Sequence, residues 1–324
     1  MAVLGIESSA HTLGIGIVEN GKVLANERSM YKISNKGIIP SRVADFHASN
    51  LRKTLLSALK KSGLRMDQMS AVGYTKGPGL GACLQIAQIA AKSISQRFGM
   101  PIIPVNHAVA HIEITKNLFG LKDPLALYVS GGNSQILAAI NEPYKHYHIH
   151  GETFDIGVGN MFDSFARAAK LNPAWGSTVE KAAEGGKYIR MPYTVKGMDF
   201  TFSGLLTNAV ELLQRNSLVD VAYSLLETSF SMLCEATERA LFLTKKREII
   251  LCGGVAQSQH LREMLKRIAK SDHVRFYAAP SEFNADNGAM IAVVAERMHK
   301  SGLKIPVSEC TTDQKYKIDK TMIV

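Results

Sequence analysis

This sequence predicts an α/β fold made of a duplicated unit: two lobes, each a sheet with flanking helices, and a cleft between them. Three observations carry the prediction. A series of strand, small polar loop, strand, turn and strand begins at residue 3 and begins again at residue 125. Each series is followed by long helical patterns that alternate with further short apolar runs, as in strands joined by crossover helices. The 324 residues are 46% apolar and 20% charged, enough for one large or two ordinary globular domains.

In the first half, residues 3–6 form an apolar run that ends in Glu7-Ser8-Ser9, and residues 13–18 form the next strand. Glu19-Asn20-Gly21 carries the Asn-Gly hairpin signature before a third strand at 23–26. Residues 43–61 place Ala44, Ala48, Leu51, Leu55 and Leu59 on one helical face. A strand at 71–75 is broken by Gly77-Pro78-Gly79, a largely buried helix follows at 80–98, and a buried strand at 102–105. In the second half, the strand 125–129 ends in Ser130-Gly131-Gly132-Asn133. Strands at 135–139 and 147–149 flank an Asn141-Glu142-Pro143 turn. A helix at 219–243, a strand at 249–252 ending in Gly253-Gly254, a helix at 259–269, a strand at 274–277 and a helix at 287–298 complete the series. The first lobe is expected at 1–120 plus 300–324 and the second at 121–299.

Composition narrows the setting. No apolar run is long enough to span a bilayer, and the start MAVLGIESS lacks the basic stretch and cleavage site of a signal peptide, so a cytoplasmic protein with no membrane partner is expected. Cys83, Cys234, Cys252 and Cys310 form no CxxC pair and read as reduced core residues. The net charge of +10 suits a polyanionic partner such as nucleic acid, and equally a basic solvated surface. The cations are spread through the chain, for example at Lys245, Lys246 and Arg247 and at Lys315, Lys317 and Lys320, with no long basic run.

Small residues after a strand let backbone N–H groups approach an anion. Glu7-Ser8-Ser9, Ser130-Gly131-Gly132 and Gly253-Gly254 are expected to open toward the cleft in this way. Singly each is a tight turn; in register across a repeat they point to a nucleotide site. GxxxxGK[ST] is absent and no GxGxxG opens a helix, which excludes a P-loop and disfavours a dinucleotide fold.

His107 and His111 stand four apart, so a helix brings them to one face, one turn apart. They could share a metal or sit at the exposed start of a helix; the spacing leaves both open. Ala108 follows His107, so there is no HExxH and no peptidase base. His146, His148 and His150 alternate among Tyr and Lys and read as an exposed strand. Asp286, just before Asn287-Gly288 and the last helix, is a cap or a ligand.

The combination GIESSAHTLGIGIV, KGPGLGACLQIA, VNHAVAHIEI, LYVSGGNSQIL, GETFDIGVGNMFDSFAR, MPYTVKGMDFTFSGLLT, LCGGVAQSQHLREML and NADNGAMIA, in this order from residue 4 to about residue 290, resembles the tRNA N6-threonylcarbamoyladenosine transferases. It is more similar to the archaeal and eukaryotic branch, the catalytic subunit of the KEOPS complex, than to the bacterial TsaD branch. The resemblance implies the actin-like, sugar-kinase-like (ASKHA) fold, two RNase H-like lobes around a nucleotide cleft. It implies one divalent metal, iron in first place and zinc in second, held by His107, His111, Tyr128 and Asp286. It implies that Tyr128, Ser130, Gly131 and Gly132 hold an adenylate together with Asp163, Gly176, Glu180 and Ser258, with Ser9, His11, Gly253 and Gly254 as weaker candidates.

The implied reaction transfers the threonylcarbamoyl group of threonylcarbamoyl-AMP to N6 of the adenosine next to the anticodon (A37) of tRNAs reading ANN codons. ATP or AMP binds the same loops. No residue is marked as a general base; His11 has the position for one but reads as a polar loop residue. The implied partners are tRNA, a small dimerising KEOPS subunit on the first-lobe helices around 43–59 and 80–98, a separate KEOPS protein kinase, since this chain ends at Val324 without one, and a further small KEOPS subunit. Three positions depart from the family pattern: Ala174-Trp175-Gly176-Ser177 replaces a PGGP stretch, Ser258 replaces Asn, and Gln85 replaces Arg. An ATPase or phosphotransferase of the same fold, a metallopeptidase, and a scaffold without turnover are the competing readings.

Overall fold

The computed structural model of the chain describes residues 1–324 except 33–36, 143, 304 and 324. In chain order it forms β1 (Ala2–Glu7), β2 (Thr12–Glu19), β3 (Lys22–Met30), α1 (Pro40–Ser62), β4 (Met69–Gly77), α2 (Gly81–Phe98), β5 (Ile102–Asn106) and α3 (His107–Phe119). Next come β6 (Leu125–Val129), β7 (Ser134–Ile140), β8 (His146–Glu152), α4 (Val158–Ala168), α5 (Gly176–Ala182), β9 (Val195–Lys196) and β10 (Asp199–Phe200). They are followed by α6 (Ser203–Leu212), α7 (Leu218–Thr244), β11 (Glu248–Cys252), α8 (Gln259–Ser271), β12 (Arg275–Ala278), α9 (Ser281–Asn284) and α10 (Gly288–Lys300). Of the expected turn at 141–143, Pro143 lies outside the described residues.

The chain divides into two compact units. Unit 1 comprises Met1–Leu121, Ile140–Tyr147 and Pro280–Val324, and unit 2 comprises Lys122–Ala139 and His148–Ala279. The division differs from the expected boundaries in one large respect: α10 and the residues before it belong with the first unit, where 121–299 had been assigned to the second. The physical reason is a groove of glycines. A Cβ on Gly5, Gly14 or Gly16 would lie 2.1–2.5 Å from backbone atoms of residues 288–292, so only a side-chain-free sheet surface admits the helix.

Unit 1 carries a five-stranded sheet of order β3-β2-β1-β4-β5, and the second five-stranded sheet has the order β12-β11-β6-β7-β8. Written from the antiparallel edge, the second reads β8-β7-β6-β11-β12, the same third-second-first-fourth-fifth order as the first. β1 runs antiparallel to β2 and parallel to β4, and β6 likewise runs antiparallel to β7 and parallel to β11. This is the duplication seen in the sequence. β1 and β6 are buried at every residue, because a central strand covered on both faces has no use for polar alternation.

The core of unit 1 packs α1 and α2 against β1, β2 and β4 through residues such as Ile6, Ile15, Tyr74 and Ala87. In unit 2, Phe162 and Phe165 of α4 join Phe230 and Leu233 of α7 and Leu251 of β11. The helices α4, α5 and α6 had no counterpart in the sequence pattern. All four cysteines are free and buried, as expected for a reduced protein. No helix among the described residues is long and apolar enough to cross a membrane.

Candidate functional site

The metal-ligand candidates of unit 1 are built on the junctions of three elements. Asn106 ends β5 and caps α3: its Oδ1 accepts from the N–H groups of Ala108 and Val109 at 2.9 and 3.2 Å. Its Nδ2 donates to the hydroxyl of Thr321 at 3.0 Å and to the carbonyl of Tyr316 at 3.2 Å, so the cap itself is held. The first turn of α3 thereby presents His107 and His111 on one face, with ring centroids 4.7 Å apart. They are not at an exposed helix start: His107 is 8% and His111 1% exposed.

Asp286 meets both imidazoles. Its Oδ1 is 3.5 Å from His107 Nε2 and 3.3 Å from His111 Nε2. Capping of α10 falls to the next residue, since Asn287 Oδ1 accepts from Met290 N–H at 3.0 Å. Asp286 is thus released from the capping role that the sequence left open. Near its C-terminal end, α10 pairs Arg297 with Glu113 in the middle of α3, tying the helix that follows Asp286 to the helix that carries both histidines.

Glu7, at the end of β1, completes the cluster and was missed as a site residue. Its Oε2 accepts from Thr75 Oγ1 at 2.6 Å and lies 3.1 Å from His107 Nδ1, while its Oε1 accepts from Ser9 N–H at 2.6 Å. Ser8 is also bound inward, donating to the carbonyl of Cys83 at 2.7 Å. The Glu7-Ser8-Ser9 segment is therefore no open anion loop, contrary to expectation: its own carboxylate occupies the N–H that an anion would need. His11 lies partly buried beside it, with its carbonyl accepting from Tyr31 N–H at 2.9 Å.

The electrostatics fit a cation. Burial works against charge on His107, but Glu7 and Asp286 outweigh it and raise its pKa to about 9. Burial dominates at His111 and lowers its pKa, keeping that ring neutral. Burial likewise opposes charge on Glu7 and Asp286, yet His107 holds both carboxyls below their ordinary values. A divalent ion at Nε2 would take the place of the proton that Glu7 and Asp286 hold on His107, leaving both rings neutral and the ion's charge balanced by the two carboxylates. The donor atoms of His107, His111 and Asp286 lie within 4.8 Å of one another, the only such group of His, Cys, Asp or Glu among the described residues. Imidazole and carboxylate donors suit iron, zinc or manganese. A carboxylate on the remote nitrogen of an imidazole, as Glu7 is on Nδ1 of His107, fixes the tautomer that leaves Nε2 open to a metal. We expect Glu7→Gln to weaken metal affinity about 10–100-fold, read by chelator competition, with all direct ligands still present.

In unit 2 the nucleotide candidates are joined by a run of hydrogen bonds. Tyr128 is buried at the end of β6, and Ser130, Gly131 and Gly132 follow it. The first turn of α4 ties this loop down: Gly159 N–H donates to Ser130 O at 3.2 Å and Asn160 N–H to Gly131 O at 3.0 Å. With the carbonyls taken, Gly131 and Gly132 stay exposed on the loop's outer side. Asp163 of α4 accepts from Gly176 N–H at 3.0 Å, setting the start of α5. Glu180 lies one turn further on, and its Oε1 accepts from Ser258 Oγ at 3.0 Å and from His260 N–H at 3.1 Å. Gly253 has a positive φ of 96°, and a Cβ there would lie 2.3 Å from Val129 O, so β11 can end against β6 only with glycine; Gly254 is exposed.

Two departures from the family pattern find a structural account. Trp175 is 42% exposed, so the bulkier Ala174–Ser177 loop turns its ring to solvent. Ser258 caps α8, accepting from Leu261 N–H at 3.3 Å, while its hydroxyl proton serves Glu180. Its role is to orient Glu180. We expect Ser258→Ala to cost about 1 kcal/mol of stability through the lost cap, seen as a lower melting temperature, and to weaken ATP binding several-fold by calorimetry. Gln85 is exposed on α2, and nothing in the structure assigns it a partner. Among the described residues, His146, His148 and His150 join no group of three side chains placed to share a metal.

The chain matches the sequence model of the tRNA N6-adenosine threonylcarbamoyltransferase family over residues 22–293. It is 46% identical over 322 residues to the tRNA N6-adenosine threonylcarbamoyltransferase of Thermococcus sibiricus, covering 98% of each chain. It is 41% identical over 321 residues to a probable bifunctional tRNA threonylcarbamoyladenosine biosynthesis protein of Thermoplasma volcanium, covering 98% of this chain and 60% of that one. Among solved structures, HypF of T. kodakarensis superposes with a TM-score of 0.60 at 16% identity, over 93% of this chain and 48% of that one, a likeness of fold alone.

Proposed function

The chain belongs to the tRNA N6-adenosine threonylcarbamoyltransferase family, and from that premise we propose that it holds a divalent metal at His107, His111 and Asp286 and an adenylate on the Ser130–Gly132 loop. It is a transferase of tRNA threonylcarbamoyladenosine formation, on the actin-like, sugar-kinase-like fold. The observation that carries the site is the buried histidine pair facing Asp286 with Glu7 behind it. Tyr128 is proposed as a further metal ligand on the strength of the family motif. Iron is the first candidate and zinc the second. When bound, the ion supplies Lewis acidity toward the carbamoyl carbonyl.

The chain's own residues do the rest. Exposed amides at Gly131 and Gly132 receive the phosphate, and Glu180, oriented by Ser258 and His260, is placed to accept from a ribose hydroxyl. Asp163 sets the loop at Gly176 that bounds this side. The acyl donor is threonylcarbamoyl-AMP and the acceptor N6 of A37 in tRNAs reading ANN codons; N6 attacks the carbonyl carbon and AMP leaves. A cytoplasmic setting and the KEOPS partners belong to the same proposal. Leu56 of α1 and Ile89 of α2, 52% and 59% exposed, offer an apolar face for the small dimerising subunit. The test supplies purified protein with threonylcarbamoyl-AMP and follows AMP release with and without unmodified tRNA. Release that requires tRNA and leaves the modified adenosine supports the reading; release indifferent to tRNA overturns it.

A further inference from the structure

Residues 186–194 of unit 2 have no regular secondary structure, yet they are pinned along one face of α7. Lys187 N–H donates to Asp220 Oδ1 and Ile189 N–H to Ser224 Oγ, both at 2.7 Å. The hydroxyl of Tyr188 is 3.3 Å from that of Thr228, and the hydroxyl of Tyr193 donates to Glu235 Oε2 at 2.5 Å. Met191 is buried between them. The backbone and both phenol hydroxyls are thus fixed from within, while the rings of Tyr188 and Tyr193 remain 54% and 48% exposed.

A third ring adjoins this strap. Thr194 and Thr201 exchange hydrogen bonds of 2.7 and 3.3 Å, and Phe154 N–H donates to Phe200 O at 3.1 Å. Phe154 is 68% exposed. It stands three residues before Gly157, whose Cβ would lie 2.4 Å from Gly131 O. Three residues span at most about 10 Å, so Phe154 borders the loop proposed for the adenylate. Lys187 and Arg190 are exposed along the strap, and Lys196 is exposed just beyond it in β9.

Rigid aromatic faces left in water cost hydration free energy, and such a patch marks a binding surface. Its mix of rings and cations decides the class of occupant. A protein interface is depleted in lysine at its core, whereas single-stranded nucleic acid takes both: bases stack on the rings and phosphates meet the cations. RNA sequences are read in unpaired loops, whose bases can be splayed onto aromatic side chains.

We propose that Phe154, Tyr188 and Tyr193, with Lys187, Arg190 and Lys196, form the platform on which the unpaired anticodon loop of the tRNA docks, delivering its target adenosine to the Ser130–Gly132 loop. This rests on the transferase reading given above. The rings take bases that flank the target, and the cations take the loop phosphates.

Fluorescence anisotropy with the full chain, an unmodified tRNA and its isolated anticodon stem-loop tests it. The triple variant Phe154→Ala, Tyr188→Ala, Tyr193→Ala should lose at least roughly tenfold in affinity for both RNAs, with ATP affinity and melting temperature unchanged. Tyr188→Phe with Tyr193→Phe keeps the rings and should bind as the parent does. Alanine at Lys187, Arg190 and Lys196 should flatten the salt dependence of log K by a slope of roughly two. Phe154→Ala alone reports on the platform if the triple variant proves unstable. Parent-like RNA affinity in the alanine variants, or its loss in the two phenylalanine changes, overturns the proposal. A parent protein that neither binds tRNA nor needs it for AMP release overturns the transferase reading instead.

Discussion

His111→Ala should yield a folded protein that no longer holds the metal proposed for the His107–His111–Asp286 cluster. Elemental analysis should fall from about one ion per chain to below roughly a tenth, since even an outer-sphere change costs about 10–100-fold in affinity and this change removes a direct ligand. The two histidines are not equivalent in what else they hold. His111 is buried and neutral, so its removal leaves no opposite charge unpaired; the cost is a cavity and a lost contact to Asp286. His107 is bracketed by Glu7 and Asp286, and its removal strands the buried carboxylate of Glu7 and takes one partner from the partly buried Asp286. Breaking a buried pair costs about 3–5 kcal/mol, so His107→Ala should lose both metal and stability, and the difference in melting temperature between the two variants reports the charge held by Glu7. A control with His146 and His148 replaced by alanine should keep the metal. Stoichiometric metal in His111→Ala would sink the assignment of the cluster.

The architecture was legible in the sequence because its central strands and hairpins announce themselves locally. Leu125–Val129 is bounded as a strand by its own residues, and the glycine-rich loop after it repeats the place of Glu7-Ser8-Ser9 after β1. The histidine pair was visible for the same reason, as a four-residue spacing within one helix. What the sequence hid is set by tertiary partners. Glu7 lies 100 positions from His107, and no local pattern distinguishes it from the end of any strand. The Glu7-Ser8-Ser9 loop looked like an anion cradle because its composition is right; the carboxylate that fills it turns inward only in the fold. Helices α4 and α5 begin at or near glycines and are short, so propensity argued against them, and packing of Met161, Phe162 and Phe165 into the core of unit 2 outweighs it. The place of α10 was hidden for another reason. All residues from Gly288 to Glu296 are buried, so the helix has no polar face to show which sheet it serves.

The groove that receives α10 supports the second large prediction. A Cβ on Gly16 would lie 2.1 Å from the backbone nitrogen of Ala289 and 2.3 Å from the carbonyl carbon of Gly288, and one on Gly288 would lie 2.1 Å from the nitrogen of Gly16. These neighbours are backbone, so no side chain can rotate aside; the helix must shift as a body. Overpacking of a core costs about 1–3 kcal/mol when side chains can adjust, and a backbone clash belongs at or above the top of that range. Gly16→Ala should therefore cost about 3 kcal/mol or more, lowering the melting temperature by roughly 6–12 °C. The effect reaches the site, because Asp286 stands two residues before Gly288 and moves with the helix. Metal occupancy should fall although His107, His111 and Asp286 are all present. Gly204→Ala, where nothing lies within 4 Å of the added carbon, should melt with the parent or slightly above it. A Gly16→Ala protein that melts with the parent and keeps its metal would mean that α10 does not seat on β1 and β2, and that Asp286 owes its position to something other than this groove.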